Sequence, residues 1–404
     1  MHDPVLIVGA GIVGLALGQA LKRRNIPFEI YERDAHPDSR GQGWAITLHW
    51  ALQYIQALLP EETLQRIQDA QVDPAVAQND NGNFLFINLA TGEPKFKIPP
   101  SVRWRVNRDK MRRALLVGIE EHVHWGKRVD GIDVRENGVR LMFDDEDKGE
   151  TEGQNESATG KLVVGIEGSR STVRRFLRPD AYRNKQLPVR FTGVAVDLTP
   201  EEAAPLRAMD PLLFQGCHPS TGVFFWFSIL ETPATHPSGM YRVQINMSWR
   251  VESAEDEVAQ TDKGRLENMK KRAAGFAPFL FDAVQRIPEG TPVLEITLAD
   301  WECLPWDNRG GRVTLAGDAA HAMVMYRGEA ANHGLLDIFH LVEALTRVYA
   351  GADLPTAMDE YESEMRARTA PAVQLSREAC MEAHAWDQLN EGSAILSKRK
   401  IGTL

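Results

Sequence analysis

The chain opens on an unbroken apolar run, Val5-Leu6-Ile7-Val8, which breaks into Gly9-Ala10-Gly11-Ile12-Val13-Gly14. Apolar residues then recur at helical spacing through Leu15, Leu17, Ala20 and Leu21. A short continuous run bounded by glycine predicts a buried strand, and the recurrence predicts a helix packed on it. Lys22, Arg23 and Arg24 close that helix, where cations suit the negative end of its dipole. A second strand is predicted over Phe28-Glu29-Ile30-Tyr31, ending at Glu32. The same texture returns late in the chain. Arg312-Val313-Thr314-Leu315-Ala316 runs into Gly317-Asp318-Ala319-Ala320-His321 and then into another helical pattern.

Between these ends the pattern changes several times. Residues 48–59 are amphipathic, and residues 72–100 carry Pro, Asn and Gly around alternating runs such as Phe84-Leu85-Phe86-Ile87, which predicts a small hairpin excursion. Asn107 suits an N-cap, with Met111, Ala114, Leu115 and Ile119 at helical spacing after it. Strands are predicted over 129–134, 138–143 and 161–166, and the aperiodic acidic stretch 144–160 reads as a solvated loop. Long strands follow over 189–198, 222–230 and 240–249, then one helix over 263–286 with Phe276, Phe279, Leu280 and Val284 on its apolar side. Helices over 335–350, around 356–368 and from Pro371 close the chain. The whole predicts an α/β protein: a Rossmann-like domain from 1–75, 101–180 and 299–348, an inserted mixed-sheet domain from 76–100 and 181–298, and a C-terminal helical segment, 349–404.

Composition narrows the class. A chain of 404 residues can hold two or three domains with substantial cores. Its net charge of −10 argues against a general nucleic-acid binder. Cys217, Cys303 and Cys380 form no C-x-x-C pair, which fits a reducing compartment and argues against a metal or disulfide framework. His122 and His124 have no carboxylate or cysteine partners suited to a metal site, so they read as incidental and no metal site is expected. No apolar run approaches a membrane span, and no signal-peptide pattern precedes the first strand, so a cytoplasmic enzyme is the expectation. Oligomeric state is not legible.

The two glycine-rich segments look made for one long ligand. In a G-x-G-x-x-G turn Gly9 allows the tight bend, Gly11 lets the backbone approach a pyrophosphate, and Gly14 lets helix and strand pack closely. The phosphates then meet free N–H groups at a helix N-terminus. Glu32 stands 21 residues after Gly11, near the spacing of an acid that binds the ribose. Asp318 adds a carboxylate at another strand end, where the far part of a dinucleotide would reach it.

Three ordered signatures carry a family resemblance over essentially the whole chain: the Gly9 turn with Glu32-Arg33; Leu162-Val163-Val164-Gly165-Ile166-Glu167-Gly168 followed by Ser171 and Arg174; and Gly317-Asp318-Ala319-Ala320-His321. The chain resembles single-component FAD-dependent monooxygenases of the p-hydroxybenzoate hydroxylase-like fold. Tyr326-Arg327-Gly328-Glu329-Ala330-Ala331-Asn332-His333-Gly334 is similar to fungal members associated with secondary metabolism. The resemblance implies FAD held by Gly9, Gly11, Gly14, Glu32, Arg33, Gly43, Ala45, Arg108, Glu167, Gly317, Asp318, Gly328, Ala330, Ala331 and Asn332. It implies NADPH or NADH as a transient electron donor, since no second nucleotide turn is evident. It further implies O2 and a small organic substrate, hydroxylated or epoxidised through a flavin C4a-hydroperoxide.

Three positions depart from the family pattern. Glu167 stands where the family has Asp, Met325 replaces a proline, and Glu329-Ala330 replaces a pair that includes glycine. They keep open a non-oxygenating flavin oxidoreductase of the same fold, or a flavin-binding protein that has lost catalysis. On the substrate side Arg190 is the catalytic candidate, and Arg242 and Gln244, with Asn246, alternate along a strand as substrate contacts or as a solvent-facing row. Phe225, Trp226 and Phe227 suit either a pocket or a packed core, with the core expected, and His321 is expected to pack locally.

Overall fold

The computed structural model describes residues 3–39, 43–80, 82–98, 102–144 and 156–397. Its first layer is a five-stranded parallel sheet in the order Val313–Leu315, Leu162–Gly165, Val5–Val8, Phe28–Tyr31, Val123–His124. The Val5–Val8 run is buried on both faces, which is why it reads as continuous apolar sequence. Helices Ile12–Arg23, Arg108–Leu116 and Ala330–Tyr349 share one core with this sheet. The architecture is the α/β fold of the p-hydroxybenzoate hydroxylase type, with helices at the C-terminal end.

The second layer is a seven-stranded mixed sheet, ordered Leu294–Glu295, Val189–Leu198, Tyr241–Arg250, Phe224–Glu231, Leu213–Cys217, Phe84–Asn88, Pro94–Ile98. The 84–98 hairpin joins it through a parallel pairing of Phe84–Asn88 with Leu213–Cys217. Strand alternation divides the two faces. Phe225, Phe227, Ile229, Val243, Ile245 and Met247 pack against Leu266, Met269, Leu280 and Val284 of the covering helices. Phe191, Phe224, Trp226, Gln244 and Asn246 face the other way, toward the parallel sheet.

Several elements differ from the sequence expectation. Residues 263–286 form two helices, Asp262–Arg272 and Pro278–Gln285, because Gly275 takes φ +85° and Pro278 starts a new helix. Conversely, one helix, Leu354–Glu382, runs straight through Pro371. Its buried stripe of Met365, Thr369, Ala372, Val373 and Ser376 continues past the proline, and packing outweighs the lost hydrogen bond. Ser157–Gly160, expected as loop, pairs with Gly138–Asp144. The remainder of that loop, 145–155, lies outside the described residues. His124 Nε2 lies 2.7 Å from a Glu29 oxygen and His122 Nδ1 3.6 Å from the other, so both histidines have an acid partner that the sequence did not disclose. Among the described residues no helix is long and apolar enough to cross a membrane.

Candidate cofactor and substrate site

A cavity of about 1120 Å³ lies between the two layers. Pockets for one small ligand usually run to ~300–1,000 Å³, so this one has room for more. Its first end is built by the glycine turn. Gly9 takes φ +110°, and a Cβ there would come within 2.8 Å of the Glu167 Cα. A Cβ on Gly14 would come within 2.0 Å of the Gly9 carbonyl oxygen. Gly11 differs: a Cβ there would meet no protein atom within 4 Å, and the residue lines the cavity. Gly11 is also the N-cap of Ile12–Arg23, whose first turn has no side-chain cap and no acid. Unpaired N–H groups and the positive helix end thus face the cavity.

Beside this turn, Glu32 Oε2 accepts from the Ala10 N–H at 2.8 Å and Oε1 from the Asp34 N–H at 3.1 Å. These bonds fix a carboxylate that is only 4% exposed yet lines the cavity, with exposed Arg33 next to it. Arg108 opens the helix Arg108–Leu116 and lines the cavity. Gly43 backs it, since a Cβ there would come within 3.3 Å of Arg108 Nη1.

Glu167 Oε1 accepts from Ser171 Oγ and from the Val173 N–H, both at 2.8 Å, while Oε2 is buried without a partner. Burial raises its carboxyl above the usual range despite those bonds and the nearby Arg174. Arg174, itself buried, donates from Nη1 to the Ala319 carbonyl at 3.2 Å and from Nη2 to Asn184 Oδ1 at 2.7 Å. It thereby ties the second signature to the third. Asp318 lines the cavity, and its side chain is exposed there. Burial raises its carboxyl, opposed by His321, Arg108 and Arg174.

A buried network holds that segment from behind. Asp337 Oδ2 accepts from the Gly317 N–H at 2.8 Å and from His321 Nε2 at 2.6 Å, and Arg368 Nη2 donates to Oδ1 at 2.7 Å. Burial alone would raise Asp337, but His321 and Arg368 outweigh it and hold the carboxyl well below the usual carboxylate range. His321 therefore packs locally, as expected.

The third wall is the turn Met325–Arg327, then Gly328, then the helix Ala330–Tyr349. Gly328 carries the left-handed φ of +66°, whereas Ala330 is helical, so alanine at 330 needs none of glycine's freedom. Met325, Gly328, Ala330 and Ala331 line the cavity, and Glu329 binds Arg327 Nε at 2.6 Å instead.

The structure brings Gly9, Gly11, Glu32, Arg33, Ala45, Arg108, Glu167, Asp318, Gly328, Ala330, Ala331 and Gln244 to the lining of one cavity. Gly14, Gly43, Gly317 and Asn332 stand behind that lining. Asn332 Oδ1 accepts from the His49 N–H at 3.0 Å and its Nδ2 donates to the Thr47 carbonyl at 2.9 Å, which cross-links the strand Ala45–Leu48 to the Gly328 turn. Arg190 is placed elsewhere. Phe191 faces the cavity, so alternation turns Arg190 to the opposite face, where Nε and Nη2 bond Glu257 at 2.7 and 2.8 Å. Arg242 lies outside the lining and donates to Asp197 Oδ1 at 3.0 Å. Trp226, expected in the core with Phe225 and Phe227, faces the cavity beside Phe224. Sequence reasoning also missed Trp44, Thr47, His49, Arg105 and Tyr326, all in the lining.

Comparison with known proteins agrees with this geometry. Residues 2–376 match the model of a family described as FAD binding domain, and the chain belongs to that family. It is 42% identical over 419 residues to a protein of Arthroderma benhamiae named "Probable FAD-dependent monooxygenase", covering 98% of this chain and 95% of the relative. It is 44% identical over 344 residues to the FAD-dependent monooxygenase dbaB of Emericella nidulans, covering 83% and 84%. Among solved structures, Klebsiella pneumoniae HpxO complexed with FAD and uric acid superposes with a TM-score of 0.74 at 19% identity, over 95% of this chain and 90% of that one.

Proposed function

We propose that the protein is a FAD-dependent monooxygenase that takes electrons from NADPH or NADH and inserts one oxygen atom of O2 into a small aromatic or natural-product substrate, by hydroxylation or epoxidation. The observation that carries this reading is the continuity of the cavity, which joins the glycine turn, Asp318 and the Gly328 turn to an aromatic face of a second sheet. Fungal relatives named as FAD-dependent monooxygenases support it and suggest secondary metabolism.

The residues present fit FAD. Gly11 leaves open space where a Cβ would stand, and Glu167 Oε2 is a buried acceptor without a partner. In this reading the Gly11 turn takes the pyrophosphate, Glu32 and Arg33 the adenosine end, and Arg108, Glu167 and Asp318 the central part. The backbone from Gly328 to Ala331 takes the isoalloxazine. Bound FAD supplies hydride acceptance and oxygen activation. The chain supplies position and dryness: Phe191, Phe224, Trp226, Leu298, Val324 and Tyr326 form an apolar wall that limits water.

The test is an anaerobic titration of the FAD-loaded protein with NADPH and, separately, NADH, followed by air. Bleaching of the yellow band and its return with oxygen is the expected result. A colourless protein that cannot be loaded with FAD would overturn the reading.

A further inference from the structure

Arg105 sits on the strand Trp104–Asn107, paired in register with Thr47 of Ala45–Leu48. This two-stranded ribbon meets the seven-stranded sheet at the cavity. Arg105 is only 4% exposed and lines the cavity. Its Nη1 donates to Thr47 Oγ1 and its Nη2 to Ser228 Oγ, both at 2.8 Å. The guanidinium lies 5.7 Å from the centroid of the Trp226 ring, and Ser228 pairs in register with Gln244 on the same face.

Other arginines deep in the cavity wall are neutralised. Arg103 Nε bonds Asp80 Oδ2 at 2.7 Å, and Arg327 bonds Glu329. Arg105 meets two neutral hydroxyls, its Nε is buried with no partner, and among the described residues no carboxylate contacts it. A buried cation without a counter-charge is costly, and a protein rarely holds one except toward an ion it receives. Burial, with Arg103 nearby, pushes Arg105 down to about 9, so it is still cationic at neutral pH.

We infer that Arg105 is the anion seat of the substrate pocket, and that the substrate is a planar aromatic bound through an oxyanion, either a carboxylate or an ionised phenol. Phe84, Phe224 and Trp226 supply the aromatic surfaces around it. Thr47 and Ser228 hold the guanidinium fork in place and use one N–H of each Nη, which leaves the second N–H of Nη1 and of Nη2 for a ligand. This rests on the monooxygenase reading for what happens to the bound molecule, though not for binding itself.

The experiment is calorimetric titration of the FAD-loaded full chain, without NADPH, using three naphthalene probes. These are 6-hydroxy-2-naphthoate, its neutral amide, and 4-nitro-1-naphthol, which is ionised at neutral pH. The wild type is expected to prefer at least one anion over the amide by about 10- to 100-fold. Preference for the naphthoate identifies a carboxylate; preference for the nitronaphthol identifies a phenolate. Arg105→Met should abolish the preference with the amide unchanged, and Arg105→Lys should keep part of it, which separates lost charge from lost folding. FAD content and melting temperature of each variant serve as the folding controls. A wild type without charge preference, including one that binds none of the probes, would overturn the inference, as would preference surviving in Arg105→Met. A chain that takes up no FAD fails the proposed function instead.

Discussion

Gly11→Ala and Gly14→Ala separate two tasks that one motif gives to glycine. The Gly14 Cβ would lie 2.0 Å from the Gly9 carbonyl oxygen, so Gly14→Ala must push helix from strand. Its expected cost is about 1–3 kcal/mol, seen as a lower denaturation midpoint even without cofactor. The Gly11 Cβ meets no protein atom. Gly11→Ala should leave the apoprotein's midpoint unchanged and weaken FAD binding by on the order of tenfold, measured by quenching of flavin fluorescence. Equal loss of apoprotein stability in both variants would show that Gly11 serves packing. At this scale the sequence was informative where a residue's placement is local: the glycine turn, Glu32 at a strand end and Asp318 at a helix start all reach the cavity. It misled for Arg190 because the phase of strand alternation, and so the face a side chain takes, is set by which side the covering helices occupy. Arg105 was missed because its strand exists only through pairing with Ala45–Leu48, nearly sixty residues earlier.

Elements show the same division. The long strands of the second sheet were located closely, since each is a run rich in apolar, aromatic and β-branched residues that is buried on both faces for most of its length. Periodicity split the helix Leu354–Glu382 at Pro371, because a local rule cannot see the stripe that packs on both sides of the break. Pro371 is exposed, and Pro371→Ala should raise the unfolding midpoint by restoring a hydrogen bond, with up to about 3 kcal/mol recovered. A fall in midpoint would mean that the proline ring itself is needed for packing. The same helix carries a pH-sensitive contact. Glu362 accepts from Thr314 Oγ1 at 2.8 Å and from Trp306 Nε1 at 3.0 Å, which docks the helix on the edge strand. Burial raises its carboxyl to about 7, against an unfolded value of about 4.3. The folded state therefore holds more protons than the unfolded state across that window, and this contribution to stability is lost as pH rises through 7. Urea unfolding at pH 5 and pH 8 should show a decline that Glu362→Gln reduces by on the order of 1–3 kcal/mol. An unchanged pH dependence in the variant would remove Glu362 as its cause.

At the scale of the molecule, the two largest sheets leave a ligand-sized gap between them, and FAD in that gap would contact both glycine-rich segments at once. Ligand that binds only the folded state stabilises it, by about 2.7 kcal/mol at a hundredfold excess over Kd. FAD should therefore raise the thermal midpoint in a concentration-dependent way, read by tryptophan fluorescence; a midpoint indifferent to FAD would argue against a site spanning both layers. The fold class was legible because the signatures come in order, while which side chains meet across the two layers was not, since that depends on pairings far apart in the chain.

The parallel sheet is completed by its edge strand Val313–Leu315, which comes from the last quarter of the chain and brings Gly317 and Asp318 with it. While the protein is being made, the ribosome releases the phosphate-binding turn first and Asp318 some three hundred residues later. From its own synthesis, about halfway through that interval, the strand Leu162–Gly165 has one bare side until Val313–Leu315 follows. An unpaired strand edge invites pairing with other chains, so the nascent protein is exposed to aggregation until synthesis is nearly over. Cofactor loading is then a late event, and expression yield should depend on chaperone supply during elongation more than on flavin supply before it.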